Sequence, residues 1–130
     1  MISRDYEPDP IIHRYTRAQA IEDGVLVDIT RWASETGFKV PVACTRTLWE
    51  KWITPPQGTR QMGQCERGRG HDVLWMLLVA IRASPPRQQI EYEVLFLDAD
   101  QRHQHVRLKA VCGPGDQSEP TITIMLITED

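Results

Sequence analysis

The stretch QIEYEVLFLDADQRHQHVRLKAVC, residues 89–112, decides the fold class. In both halves apolar side chains alternate with charged or polar ones, which is typical of β-strands with one buried face and one wet face. Turn residues separate the halves, and a third alternating segment follows the turn GPGD. The sequence therefore predicts a three-stranded antiparallel meander with strands at about 89–97, 104–112 and 120–127.

Residues 72–83, DVLWMLLVAIRA, predict a helix that is apolar around its whole circumference. Such a helix is expected to be central and covered on every side, with Trp75 in the core. Packing the apolar face of the meander on this helix gives a two-layer α+β fold. On the wet face, Glu91 and Glu93 are expected to lie opposite Arg107 and Lys109, which helps to fix the register.

Short N-terminal helices precede this unit. Thr16 and Gln19 form the pattern of a capping box, and Gly24 predicts the end of that helix. A second helix is predicted to begin at Asp28 or Thr30.

A third helix is predicted from the capping-box pattern of Thr47 and Glu50, ending at the prolines that follow. Residues 55–70 contain two prolines and several glycines, and they predict a long loop. We expect a flexible arm over residues 1–11 and a single α+β domain over residues 12–130.

The composition is that of an ordinary globular domain. Apolar residues make up 41% of the 130 residues, charged residues 25%, and the net charge of −3 is too small to indicate a nucleic-acid partner by itself. Three cysteines without ligand spacing predict reduced thiols in a cytosol. We expect no signal peptide, no membrane span and no cofactor.

Arg60, Arg67 and Arg69 form a basic patch in the predicted loop, which is the leading candidate for a partner-binding surface. A merely solvated loop explains the same residues. Trp49 and Trp52, three residues apart, can pack inward together, and an interface hot spot is the alternative.

His103 and His105 point to one face of a strand and are weak candidates for metal ligands, with two wet-face histidines as the simpler interpretation. Cys65, His71 and Asp72 contain the groups of a cysteine nucleophile, although Asp72 is already explained at a helix start.

Asp98, Asp100 and Asp116 could bind a divalent cation, but turn formation predicts the same residues. No set of residues therefore amounts to a catalytic site, and the protein is interpreted as a non-enzyme.

The chain resembles a family of small uncharacterised proteins encoded on bacterial plasmids and related mobile elements. The matching blocks are IIHRYTRAQAIEDGVLVDIT (residues 11–30), FKVPVACTRTLWEKWI (38–53), HDVLWMLLVAIRAS (71–84) and VRLKAVCGPGDQSEPTITIMLITED (106–130). The resemblance implies a mobile-element setting and a bacterial cytoplasm, and it transfers no catalytic residue.

Three functions follow as hypotheses. The first is a non-enzymatic protein-binding factor of a mobile element, in its sharper form a counter-defence inhibitor of a host immunity complex of the anti-CRISPR or anti-restriction type, with a host protein or ribonucleoprotein as partner. The second is a nucleic-acid-binding plasmid accessory protein. The third is a small metal- or cysteine-dependent enzyme.

Overall fold

Five strands form one mixed sheet in the computed structural model of the chain, which describes residues 15–129. The C-terminal meander is antiparallel, as the sequence predicts, and the α+β fold class is confirmed. The predicted flexible arm over residues 1–11 lies outside the described residues. The strands are β1 (Leu26–Asp28), β2 (Val42–Thr45), β3 (Gln89–Leu97), β4 (His103–Pro114) and β5 (Pro120–Leu126), in the order β1-β2-β5-β4-β3.

Two N-terminal strands enlarge the sheet beyond the three strands predicted. β1 pairs antiparallel with β2, and β2 pairs parallel with β5, where Val42 lies opposite Ile122. The sequence predicts only the three strands of the meander and does not reveal this pairing. Each is only three or four residues long, and the partner of β2 comes far later in the chain.

The first helix begins as predicted. Thr16 Oγ1 accepts a hydrogen bond from the Gln19 amide at 3.0 Å, and Gln19 Oε1 accepts one from the Thr16 amide at 2.9 Å. Gly24 then adopts a positive φ of 78° after the helix end. The helical elements are α1 (Arg17–Glu22), α2 (Thr30–Thr36), α3 (Arg46–Leu48), a π-helical turn (Trp49–Ile53), a 3-10 turn (Arg60–Met62) and α4 (Glu66–Ala83).

The starts of α2 and α3 refine the predictions. Neither Asp28 nor Thr30 is the N-cap of α2, because that position is Ile29, which makes no side-chain cap hydrogen bond. Asp28 Oδ1 accepts from the amide and the hydroxyl of Thr30, at 3.0 and 2.6 Å. The capping box predicted at Thr47 and Glu50 is wrong. Thr45, the last residue of β2, is the N-cap, and its hydroxyl accepts from the Leu48 amide at 3.2 Å.

The long loop predicted over residues 55–70 is wrong in its second half. α4 begins at Glu66 and runs for 18 residues, although Gly68 and Gly70 lie in its first turns. Glycine disfavours a helix by roughly 1 kcal/mol relative to alanine. At Gly70 the reason for glycine is close approach, because a Cβ there would lie 2.6 Å from ring carbons of Trp32 on α2.

The prediction that this helix is covered on every side is also wrong. Val73, Leu74 and Leu77 are fully buried against the sheet, whereas Trp75 is 47% and Val79 43% exposed. α4 packs against β3, the edge strand. The side of α4 that carries Trp75 and Val79 stays exposed among the described residues.

The two faces of the meander divide as the alternation predicts. Glu91 lies opposite Lys109 and Glu93 opposite Arg107, as expected, and the close contacts are diagonal: Arg107 pairs with Glu91 at 3.1 Å and His105 with Glu93 at 2.9 Å. The inner face contributes Tyr92, Val94, Phe96, Val106, Leu108, Ala110, Ile122, Ile124 and Leu126 to the core.

Two glycines of α4 provide a matched test of the α2–α4 packing. Gly70→Ala is expected to destabilise the protein by about 1–3 kcal/mol, because the added methyl group collides with the Trp32 ring. Gly68→Ala is expected to be neutral or stabilising by up to about 1 kcal/mol, since a Cβ there meets only Cys65 Sγ at 3.5 Å. Urea unfolding of the two variants measures the difference, and equal midpoints would contradict the packing described.

Candidate functional site

The exposed arginines of the predicted basic patch are both paired with carboxylates. Arg60 forms a bidentate contact with Glu66, at 3.1 and 2.7 Å, and this contact raises the pKa of Arg60 and lowers the pKa of Glu66. Arg67 Nη2 lies 2.8 Å from Glu35 Oε1 on α2. Each positive charge is thus compensated locally, which weakens the patch as an anion-binding surface.

Arg69 does not belong to an exposed patch, contrary to the prediction, because it is only 2% exposed. Its guanidinium donates to the carbonyl of Trp52 at 2.7 Å, to Gln64 Oε1 at 3.0 Å and to the carbonyl of Leu97. It also lies 5.5 Å from the centre of the Phe96 ring. Burial lowers the pKa of Arg69 from its usual range, and the side chain has a structural role.

Replacing Arg69 tests this role. Arg69→Ala is expected to destabilise the protein by about 2–4 kcal/mol, because buried carbonyl groups lose their donor. Arg69→Lys keeps the charge but not the planar fork and should lose part of that stability. Arg67→Ala, at an exposed ion pair, should change the free energy of unfolding by no more than about 0.5 kcal/mol. Similar losses for Arg67→Ala and Arg69→Ala in urea unfolding would contradict the assignment.

Trp49 and Trp52 pack against the core, which confirms the inward packing predicted for them. Trp49 stacks on Trp32 with ring centres 5.7 Å apart, and Trp52 stacks on Phe96 at 5.4 Å. Both rings are partly buried, and an interface role for their remaining surface stays a prediction.

His103 and His105 lie on β4 with exposed side chains. His105 Nδ1 is 2.9 Å from Glu93 Oε1, an ion pair whenever the imidazole is protonated. Within residues 15–129, no group of three or more histidine, cysteine or acidic side chains could hold a metal ion. His13 lies outside that range.

Cys65 caps α4, and its Sγ accepts a hydrogen bond from the Gly68 amide at 3.3 Å. Cys65 and His71 line one shallow cleft beside Trp32, but no hydrogen bond joins them in the described part of the chain. His71 stacks on Trp75 instead, with ring centres 6.3 Å apart. Asp72 lines a different cleft. The thiol, imidazole and carboxylate therefore do not converge as a nucleophile site.

Two of the three aspartates considered for a cation, Asp98 and Asp116, have separate structural roles. Asp98 accepts from the amides of Asp100 and Arg102 at 2.9 and 3.0 Å, as the turn interpretation predicts. Asp116 accepts from the amides of Arg17 and Ala18, at 2.8 and 3.0 Å, at the start of α1.

The cysteines are expected to differ in reactivity. Cys44 is buried, and burial raises its pKa to about 12, whereas Cys65 and Cys112 are exposed. Iodoacetamide at pH 8 should therefore label Cys65 and Cys112 in the native protein and Cys44 only after denaturation. Mass spectrometry of the labelled peptides measures this. Labelling of Cys65 much faster than of Cys112 would instead favour the Cys65–His71 hypothesis.

Several large apolar side chains on α4 and β3 are exposed on the described surface. Trp75, Met76 and Val79 on α4 are 47%, 39% and 43% exposed, and Leu95 on β3 is 50% exposed. We call Trp75, Met76, Val79 and Leu95 the exposed apolar face. The sequence contains a signal for this face, since residues 73–81 are apolar all round, but an all-round apolar helix predicts burial rather than exposure.

A cleft of about 380 Å³ connects the two parts of this face. Its lining includes Asp72, whose pKa is raised by desolvation and whose carboxylate makes no hydrogen bond or ion pair to another described residue. The cleft therefore combines apolar walls with acidic groups. Its lining residues are Asp72, Trp75, Met76, Glu93, Val94, Leu95 and His105.

A second hollow, of about 210 Å³, lies where the C-terminal turn of α4 leaves the sheet. Leu77, Ile81, Ile90 and Ile122 form apolar walls, and Arg87 is the charged residue in its lining. It is an opening in the core at one end of the sheet, and its lining does not contain a set of catalytic side chains.

The fold and the site together describe a small α+β protein with an exposed apolar face and no assembled catalytic cluster among residues 15–129. Residues 3–130 match a family described as a family of unknown function (DUF6573), and the chain belongs to that family. Comparison with curated proteins and with solved structures gave no match. In the described part of the chain, no helix is both long enough and apolar enough to cross a membrane.

Proposed function

We propose that the protein is a non-enzymatic binding factor that recognises another protein through the exposed apolar face. The observation that carries this proposal is Trp75, a large aromatic side chain left 47% exposed on a helix whose neighbouring positions are also apolar. Contiguous exposed apolar surface is costly in water and commonly marks an interaction site. Tryptophan is also among the residues most often found as binding hot spots.

The counter-defence form of the proposal is supported by the resemblance in sequence to proteins of plasmids and mobile elements. In this form the partner is a host immunity protein or ribonucleoprotein in a bacterial cytoplasm, and the inhibitor acts by occupying a surface of that complex. An occupying inhibitor needs an interface and no catalytic group, which fits the separation of Cys65 from Asp72.

The nucleic-acid alternative has less support. Arg60 pairs with Glu66 and Arg67 pairs with Glu35, so the phosphate groups of a nucleic acid would have to compete with these intramolecular carboxylates. No observation within residues 15–129 favours the enzyme alternative.

Affinity capture from a bacterial host lysate tests the proposal when variants are compared side by side. Trp75→Ala is expected to reduce recovery of the partner by about thirtyfold or more, the effect of a hot-spot residue worth at least about 2 kcal/mol. The fold should be retained, because Trp75 lies outside the core. Arg31→Ala, on the exposed surface of α2, is the matched control and should leave recovery unchanged.

A double variant, Arg60→Ala with Arg67→Ala, separates the alternatives. If it abolishes recovery while Trp75→Ala does not, the exposed apolar face is not the binding surface. Co-purification of nucleic acid that falls steeply with salt would favour the nucleic-acid alternative instead.

A further inference from the structure

The outer edge of β3 has backbone groups available to a further strand. Asp98 N donates to Arg102 O and Cys112 N donates to Gln88 O, at 2.8 and 2.7 Å. In an antiparallel ladder the hydrogen-bonded residues alternate, so the even-numbered residues of β3 bond to β4 and the odd-numbered ones point outward. The hydrogen bond from Arg69 to the carbonyl of Leu97 is consistent with this alternation, because Leu97 is an odd-numbered residue whose carbonyl points outward.

Four outward-facing positions remain along this edge: Gln89, Glu91, Glu93 and Leu95. Among the described residues their outward amide and carbonyl groups have no hydrogen-bond partner, because β4 is the only strand that pairs with β3. An exposed strand of this length is a template for pairing with another chain. Proteins commonly use such edges to bind an extended peptide segment.

The side chains around this edge specify different chemistry on the two sides of an added strand. On the helical side are Trp75 and Met76, which line the cleft with Val94. On the wet face are Glu91 and Glu93, each about half exposed and each already in a surface ion pair with Arg107 or His105 of β4. Such exposed pairs are weak, so a basic side chain of an added strand can share these carboxylates. An added strand with alternating side chains would place apolar groups against the helix and basic groups beside the glutamates.

A second copy of this chain fits the edge poorly. Antiparallel self-pairing that uses all four outward positions places Gln89 opposite Leu95 and Glu91 opposite Glu93, twice over. Like charges directly opposite each other destabilise a strand pair. The carboxylate of Asp72, which has no hydrogen-bond or ion-pair partner among residues 15–129, adds to the acidic character of the cleft.

We infer that the protein binds an extended segment of its partner as a sixth strand along β3, and that this segment alternates apolar with lysine or arginine residues. This inference rests on the proposed protein-binding function and specifies the partner's chemistry and geometry. The main-chain hydrogen bonds of Glu91, Glu93 and Leu95 supply affinity, and the exposed apolar face and the glutamates supply specificity.

A synthetic peptide tests the inference on the full chain. The probe is an acetylated and amidated octapeptide of alternating valine and lysine, with a valine–glutamate peptide and a fully N-methylated valine–lysine peptide as controls. NMR-detected amide hydrogen exchange should show new protection at Glu91, Glu93 and Leu95. Protection at Tyr92 and Val94, which already bond to β4, should change little. Both control peptides should give no protection.

Two substitutions at one position separate the backbone contribution from charge. Glu93→Pro removes an outward amide without removing a bond to β4, and proline is tolerated on edge strands in this orientation. It should weaken binding of the valine–lysine peptide by about fivefold or more, since a backbone hydrogen bond and its neighbours are lost. Glu93→Gln keeps the amide and should weaken binding less. Glu91→Pro is the second variant if Glu93→Pro fails to fold.

Three results would overturn the inference: unchanged peptide binding by both proline variants, peptide binding that perturbs Trp75 without protecting the edge amides, or a dimer that protects the same amides without peptide. None of these three results changes the outcome expected for Trp75→Ala in the affinity-capture experiment. The broader protein-binding function therefore stands or fails separately from the sixth strand.

Discussion

The buried guanidinium of Arg69 is the contact on which the arrangement of the molecule depends. It joins the first turns of α4 to the end of the π-helical turn through Trp52 and to the end of β3 through Leu97. Gly70, the next residue, lets α4 approach the ring of Trp32 on α2. These neighbouring residues place α4 over the edge strand of the sheet. The side of the helix that carries Trp75 stays exposed among the described residues.

The parts of the fold that could be predicted are those coded by local patterns. The alternation over residues 89–127, the capping box of Thr16 and Gln19 and the turn at Asp98 each depend on residues close in sequence. The pairing of β2 with β5 and the N-terminal turns of α4 depend on distant partners. Gly68 and Gly70 argue locally against a helix, and the contacts of Arg69 and Trp32 that outweigh them are invisible in sequence.

The candidate site illustrates the same division between local and tertiary information. The arginine cluster is visible in sequence, but Glu35, which neutralises Arg67, is 32 residues away. Cys65 and Asp72 are near each other in the chain, yet they line different clefts. Residues 73–81 are apolar around the whole helix, as the sequence shows. Whether other elements cover every side of that helix depends on the architecture of the sheet. The sequence thus shows that α4 is apolar, but it does not show which side of the helix is exposed to solvent.

The contact between Asp116 and the first helix has a consequence for biosynthesis. The amides of Arg17 and Ala18 receive their acceptor 99 and 98 residues later in the chain, and β2 receives its parallel neighbour only when β5 has emerged. Contacts of such long sequence separation slow folding, since loop closure must precede them. Until β5 has been synthesised, β2 lacks its parallel neighbour and the α1 amides lack their acceptor Asp116. Until then the nascent chain exposes the edge of β2 on which β5 later pairs, and unpaired strand edges are prone to aggregation.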